Sequence, residues 1–313
     1  MNFSVGLQNG NDAFLEKIIA HRSRVHEVYF SFGDIPNGRS SQLLSETRSP
    51  WEMQAWQLGA LGRLHEAGIS LNLLFNANCY GKDSQSRAFF HKIGDVIDFV
   101  SSHFELASVT TTSPLIAKFV KSNFEGMEVR ASVNMEIGTP EGMEYLAEWF
   151  DGYYMKREYN RDFATVERLW KWSEDNGKRL YFLANSGCLN FCSAHVFHDN
   201  LVAHEGEIAQ MDNAYQFAGV CREFLKNESN YPRLYERTNF VRPEDIPLYE
   251  KYFVAAKLAT RVHRSPSAVL DSYVRGKYAG DLLRLLEPEH SIYPYVLENG
   301  DPVKLVKIDG YGG

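Results

Sequence analysis

Short runs of apolar, β-branched or aromatic residues alternate with longer amphipathic segments along most of the chain. Eight of the short runs have the length and composition of buried strands: residues 3–7, 25–32, 70–75, 108–112, 128–134, 152–157, 179–184 and 254–259. Between them, SPWEMQAWQLGALGRLHEAG, SRAFFHKIGDVIDFVSSHF, PLIAKFVKSNF, PEGMEYLAEWF and DFATVERLWKWSEDNG space their apolar residues as helices do. Gly68, Gly126 and Gly177 stand where those helices would end, at positions suited to a left-handed cap. Strand then helix, repeated about eight times, predicts parallel β/α units. Eight units favour closure, so the expected fold is α/β, an irregular (β/α)8 TIM-like barrel. The first βα turn carries no G-x-G-x-x-G, which speaks against an open dinucleotide-binding sheet.

The rhythm breaks once. Between the seventh and eighth strands, residues 185–253 form an excursion too long for an ordinary βα connection, and such insertions are generally functional. The barrel is therefore assigned to residues 1–290. The tail, 291–313, rich in Tyr, Pro and Gly, is expected as a C-terminal extension.

Composition adds limits rather than a function. Apolar residues make up 44% and charged residues 23%, enough for a large core. A net charge of −7 argues against broad nucleic-acid binding. The N-terminal MNFSVGLQNGNDAF lacks a basic stretch followed by an apolar run, and no window is long and apolar enough to span a membrane. A cytoplasmic protein with no membrane partner is the expectation, and its four cysteines are expected to be free thiols.

In a barrel the active site lies at the C-terminal ends of the strands. Those ends here are polar and thiol-rich: Cys79 follows the third strand, Cys188 and Cys192 the seventh, and Cys221 lies in the excursion. The stretch YFLANSGCLNFCSAHVFHDNLVAHE adds His195, His198 and His204. Three chemistries suit this set. An iron–sulfur cluster takes thiolates converging on one pocket, and Cys188-x3-Cys192 would put two sulfurs on one side of a helical turn. Zinc accepts the same thiolates and imidazoles, although the spacing matches no zinc finger. A catalytic thiol with a histidine base is the third. Against all three, a cysteine is often a small buried hydrophobe and a loop histidine often bonds backbone carbonyls.

The C-terminal third narrows the choice. NFVRPEDIPLYEKYFVAAKLATR, with Pro243, Glu244, Asp245, Tyr249, Glu250, Lys257 and Arg261, resembles a segment of the peptidase U32 (collagenase-like) family. Arg157-Glu158 at the sixth strand end, the two cysteines after the seventh, and Cys221-Arg222 resemble further steps of its pattern. Cys188 and Cys192 stand closer together than the family's first cysteine pair, and only one cysteine remains downstream, so the resemblance is to a divergent branch.

That resemblance implies an irregular barrel related to iron–sulfur enzymes of oxygen-independent hydroxylation. It implies a 4Fe–4S cluster on Cys79, Cys188, Cys192 and Cys221, with His198 or an open iron replacing Cys79 if that residue lies elsewhere. The substrate would be a small anionic molecule or an RNA base. Zinc as cofactor, in a hydrolase or peptidase, is the alternative; a noncatalytic subunit acting with a homologous partner protein is another.

Around the thiols, Glu158 and His198 are candidate proton carriers. Arg130 and Arg157 could clamp a carboxylate or phosphate, or form internal salt bridges with Glu158 or Asp162. Lys257 and Arg261 would add charge to the rim. Asn134 and Asn185 could orient polar substrate groups or satisfy turns. Strand alternation expects Arg157 and Glu158 on opposite faces. Trp51, Trp56, Trp170 and Trp172 are expected to pack on the barrel exterior.

Overall fold

A computed structural model of the protein describes residues 1–38, 48–212, 217 and 219–290, together with the short strands at 295–297 and 305–307. Eight parallel strands close into a barrel in chain order. They are β1 (Asn2–Gly6), β2 (Val25–Phe30), β3 (Ser70–Phe75), β4 (Leu106–Thr111), β5 (Glu128–Ala131), β6 (Gly152–Tyr154), β7 (Arg179–Leu183) and β8 (Ala255–Leu258). Closure is made by β1 pairing with β8, with Ser4 opposite Lys257 and Val5 opposite Leu258.

Six helices alternate with the first seven strands: α1 (Asp12–Ala20), α2 (Pro50–Glu66), α3 (Arg87–His103), α4 (Pro114–Asn123), α5 (Pro140–Glu144) and α6 (Phe163–Asp175). Their ends follow local rules. Ser49 and Glu52 form a capping box at the start of α2, with Pro50 as its first residue. Gly68, Gly126 and Gly177 all adopt positive φ just beyond helix ends.

The excursion 185–253 holds α7 (His195–Ala203), α8 (Glu205–Ile208), α9 (Val220–Leu225) and α10 (Leu234–Arg237), and α11 (Pro266–Arg275) follows β8. Beyond it, β9 (Tyr295–Leu297) and β10 (Leu305–Lys307) pair antiparallel. The rest of the expected extension at 291–313 lies outside the described residues. Among the described residues no helix is long and apolar enough to cross a membrane.

The apolar core lies between the strands and the helices, where outward-facing residues such as Phe3, Val28, Leu71, Val109 and Phe182 are buried. The lumen is different. Ser4, Glu27, Asn72 and Thr110 form a hydrogen-bonded chain across β1 to β4. Arg130 on β5 completes it, bonding both oxygens of Glu27 at 2.7 and 2.6 Å and both oxygens of Glu128 at 2.9 and 2.8 Å. Its guanidinium stacks 4.4 Å from the Tyr181 ring. The barrel floor is thus an ion-pair network, with each partner satisfying the other's charge as burial demands.

Two strands, β5 and β6, end three residues earlier than expected. β5 stops at Ala131 because Ser132 accepts from the Asn134 amide and starts a 3-10 turn at Val133–Met135. β6 stops at Tyr154, and Arg157–Tyr159 form another. Trp51 also departs from expectation: it is 72% exposed at the first turn of α2 rather than packed on the barrel.

Candidate active site

At the C-terminal mouth of the barrel, a cavity of about 400 Å³ is lined by three thiols, Cys188, Cys192 and Cys221. All four cysteines of the chain are free. The first two thiols do not share a helical turn. They lie in the loop ahead of α7, where Phe191 takes a left-handed φ of 54° and is 64% exposed. A left-handed non-glycine residue costs energy and persists when its surroundings hold it. Leu189 bridges to Thr238, and the Asn190 amide bonds the Arg237 carbonyl at 2.6 Å.

On the other side of this loop, Gly187 bonds the Glu287 carbonyl at 2.9 Å, and His290 Nε2 lies 2.6 Å from the Gly187 carbonyl. Burial depresses the His290 pKa, so the neutral ring donates that bond. A Cβ on Gly187 would sit 2.1 Å from the Pro288 carbonyl oxygen, a backbone atom that cannot rotate away. Gly187→Ala is expected to lower stability by about 2–3 kcal/mol in urea denaturation. It should also raise the reactivity of Cys188 toward a thiol reagent.

Beneath the thiols, Arg157 reaches Cys188 with Nη1 at 3.4 Å from Sγ. Its Nη2 is buried without a hydrogen-bond partner. Burial works against the guanidinium charge, but Cys188, Asp199, Glu158 and Glu136 more than offset it. Cys221 belongs to α9, and its thiol pKa is pushed up, first by burial and then by Cys188 and Cys192. A Cβ added to Gly219 would be 3.6 Å from Cys221 Sγ and 3.8 Å from His198 Cε1, so thiol and imidazole share a wall.

Cys79 stands apart from this trio and does not line the cavity. It receives the Gly81 amide at 3.4 Å and hydrogen-bonds His204, which first of all lowers the thiol pKa and raises that of the imidazole. His204 caps the far end of α7, nine residues after His195, or roughly 14 Å along the helix.

The other expected residues divide by depth. Asn134, Arg157, His198, Lys257 and Arg261 line the cavity. Arg130 does not: its guanidinium is committed to Glu27 and Glu128 in the lumen, not to Glu158 or Asp162. Asn185 is fully buried and bonds the Ala259 amide and the carbonyls of Ala259 and Leu285, tying β7 to β8. Asp162 caps α6. Because β6 has ended, Arg157 and Glu158 do not alternate across a sheet. Both join one polar cluster, in which Glu136, Glu158 and His195 bring ligand-type atoms within 4.8 Å of one another.

Beside Glu158 and His195, which the sequence named, stand two residues it did not single out, Glu136 and Asp199. Glu136 takes a left-handed φ of 53° after β5, and its Oε1 meets His195 Nδ1 in a short hydrogen bond. His195 Nε2 is 3.3 Å from Asp199 Oδ2, one turn along α7. Burial would raise the Glu136 pKa, yet His195, Lys156 and Arg157 together draw it below the usual carboxylate range. The i, i+4 pair His195 and Asp199 was a legible signal on a helix; Glu136 had none.

A shallower groove of about 570 Å³ runs beside the cavity and shares Arg222, Val262, Glu287 and Pro288 with it, but carries no thiol. The thiol-lined cavity is the one with convergent chemistry.

No family model and no curated protein matches this chain. Among solved structures, the U32 peptidase Mk0906 is similar with a TM-score of 0.55, covering 70% of this chain and 82% of that one at 14% identity. A glycoside hydrolase family 5 mannosidase from Rhizomucor miehei gives a TM-score of 0.41 at 8% identity, over 82% of this chain and 80% of its own. At such identities the likeness is one of fold, and the chain is a closed parallel (β/α)8 barrel of the kind that barrel enzymes use.

Proposed function

We propose that this protein is a divergent U32-like iron–sulfur enzyme, with Cys188, Cys192 and Cys221 holding a 4Fe–4S cluster over a cavity that takes a small molecule. The observation that carries the reading is the arrival of three thiols, from two separate segments of the excursion, on one cavity at the mouth of a barrel. The donor set fits: thiolates are the ordinary ligands of such clusters, and an N–H directed at a ligating sulfur, as Arg157 directs one at Cys188, is the kind of contact that tunes them. The motif resemblance to U32 proteins supports the same assignment, and the fold likeness to Mk0906 supports its U32-like barrel.

With Cys79 held by His204, a cluster would be held by the three cavity thiolates, and His198, which lines the same cavity, could supply a fourth ligand. A bound cluster supplies one-electron transfer and an open coordination position. Arg157, Lys257 and Arg261 form the binding surface below, and the Glu136–His195–Asp199 series fixes α7 against the barrel rim.

A second reading rests on the wall shared by His198 and Cys221. Three thiolates and one imidazole also make a tetrahedral zinc set, and the protein would then be a zinc enzyme of hydrolytic type. Anaerobic purification followed by iron, sulfide and zinc analysis separates the two. About four irons and four sulfides per chain, with a broad visible absorption, are expected. A colourless protein with one zinc would establish the second reading, and a metal-free protein would overturn both.

A further inference from the structure

We infer that Cys79, with His204 and Glu207 behind it, is a modification site outside the cavity: a nucleophilic thiolate that a small hydroperoxide oxidises to a sulfenic acid. This site stands whether or not the cavity holds a cluster.

Two observations carry the inference. The first is a thiol–imidazole–carboxylate series assembled from segments far apart in sequence. Cys79, on the loop after β3, hydrogen-bonds His204 at the end of α7, and His204 Nδ1 lies 3.3 Å from Glu207 Oε2 on α8. A nucleophile, a base beside it and a third group that orients the base are what activation of a thiol requires. The Gly81 amide joins them, donating to Cys79 Sγ at 3.4 Å. Two donors aimed at one sulfur favour its anion over the neutral thiol. The His204 contact first, and the Gly81 amide second, draw the Cys79 pKa below the ordinary thiol range, and the same contact raises that of His204. The Glu207 charge opposes the thiolate directly, but it is the smallest influence on Cys79 and it favours the imidazolium.

The second observation is access. Cys79 is half-buried, the His204 side chain is 25% exposed and that of Glu207 71% exposed, so a small solute can reach the sulfur. Cys221 supplies the contrast within the molecule, since burial pushes its thiol the other way. Among the described residues, Cys79 lines neither the thiol cavity nor the groove beside it. That position suits a reagent that needs only the sulfur, not a peptide or sugar that needs a cleft.

The step balances with the hydroperoxide as oxidant. The thiolate attacks one peroxide oxygen, and an S–O bond forms as the O–O bond breaks. The sulfur gives up two electrons, and the departing hydroxide or alkoxide takes the His204 imidazolium proton and leaves as water or alcohol. The other three cysteines line the cavity, so none stands beside Cys79 to close a disulfide, and the sulfenic acid is the product.

Peptide mass spectrometry, read cysteine by cysteine, tests this on the full-length protein. In chelator-stripped protein treated with hydrogen peroxide and dimedone at pH 7, Cys79 is expected to form the adduct at least about tenfold faster than Cys221. His204→Gln, checked for folding by circular dichroism, should slow the Cys79 reaction about tenfold. Alkylation of the wild type by iodoacetamide needs the thiolate but no oxidant, and provides the measurement if that variant does not fold; Cys79 should again lead Cys221 by about tenfold. Equal rates at the two cysteines, or an unchanged Cys79 rate in folded His204→Gln, would overturn the inference. Anaerobic alkylation before and after iron removal separates it from the cluster assignment. A Cys79 that reacts only once iron is removed would be a metal ligand, which overturns the inference and upholds the cluster. A metal-free protein whose Cys79 still leads would uphold the inference and overturn the cluster.

Discussion

Replacing Cys188, Cys192 or Cys221 singly by alanine is expected to remove most of the iron and the visible absorption of the anaerobically purified protein, whereas Cys79→Ala leaves both nearly intact. The expectation follows from position. The first three line one cavity, and Cys221 is close enough to the other two that their charges oppose its ionisation. Thiolates that repel one another in a buried space are stabilised together by a metal centre. Cys79, on the loop after β3, is occupied by His204 and the Gly81 amide at the opposite end of α7. Losing one of three thiolates should cost the cluster outright. Losing Cys79 should change only the protonation of His204, whose pKa that thiol raises. Iron and sulfide analysis of the four variants, with circular dichroism as the check on folding, decides the matter. Iron loss in Cys79→Ala equal to that in Cys221→Ala would restore a four-cysteine site and require the loop after β3 to move.

The barrel itself was legible because its signal is local. Each strand is a short apolar run and each helix an apolar stripe, and Gly68, Gly126 and Gly177 end helices where the pattern stops. The rim was legible as well, since strand ends can be read without knowing how the barrel closes. What strand periodicity could not supply is where a strand gives way to a turn. Ser132 breaks β5 by capping the Asn134 amide, and Arg157 falls on a 3-10 turn beyond β6, so alternation misplaced Arg157 and Glu158 relative to one another.

Partnerships across the lumen were less accessible still. Arg130 and Glu27 are 103 residues apart, and only closure of the barrel brings them together. From sequence, Arg130 and Arg157 look alike: each is an arginine near a strand's end. Their difference is one of depth. Arg130 lies within β5, inside the lumen, and meets two carboxylates; Arg157 lies past the end of β6, in the cavity wall, and meets a thiol.

That difference in depth makes Arg130→Ala the most destabilising substitution expected here. Glu27 is 1% exposed, and removing the guanidinium would strand its charge without a cation and leave Glu128 with Arg179 alone. Breaking a buried pair from one side costs about 3–5 kcal/mol, mainly through the stranded charge. The dependence on pH gives the mechanism away. In the folded protein burial would raise the Glu128 pKa, but Arg130 and Arg179 outweigh it and hold the carboxyl below the ordinary glutamate range. A carboxyl depressed in this way contributes stability above its unfolded pKa, and that contribution is lost as pH falls through the folded value. At pH 5 the wild type therefore keeps the pair. In Arg130→Ala burial acts on Glu128 against Arg179 alone, so its carboxyl takes up a proton more readily as pH falls, and a neutral buried acid costs much less than a charged one. Urea denaturation should show the full deficit at pH 7.5 and a clearly smaller one at pH 5, and Glu27→Gln added to Arg130→Ala should recover part of the loss at pH 7.5. A deficit that does not change with pH would mean that lost packing against Tyr181, and not stranded charge, is what the arginine supplies.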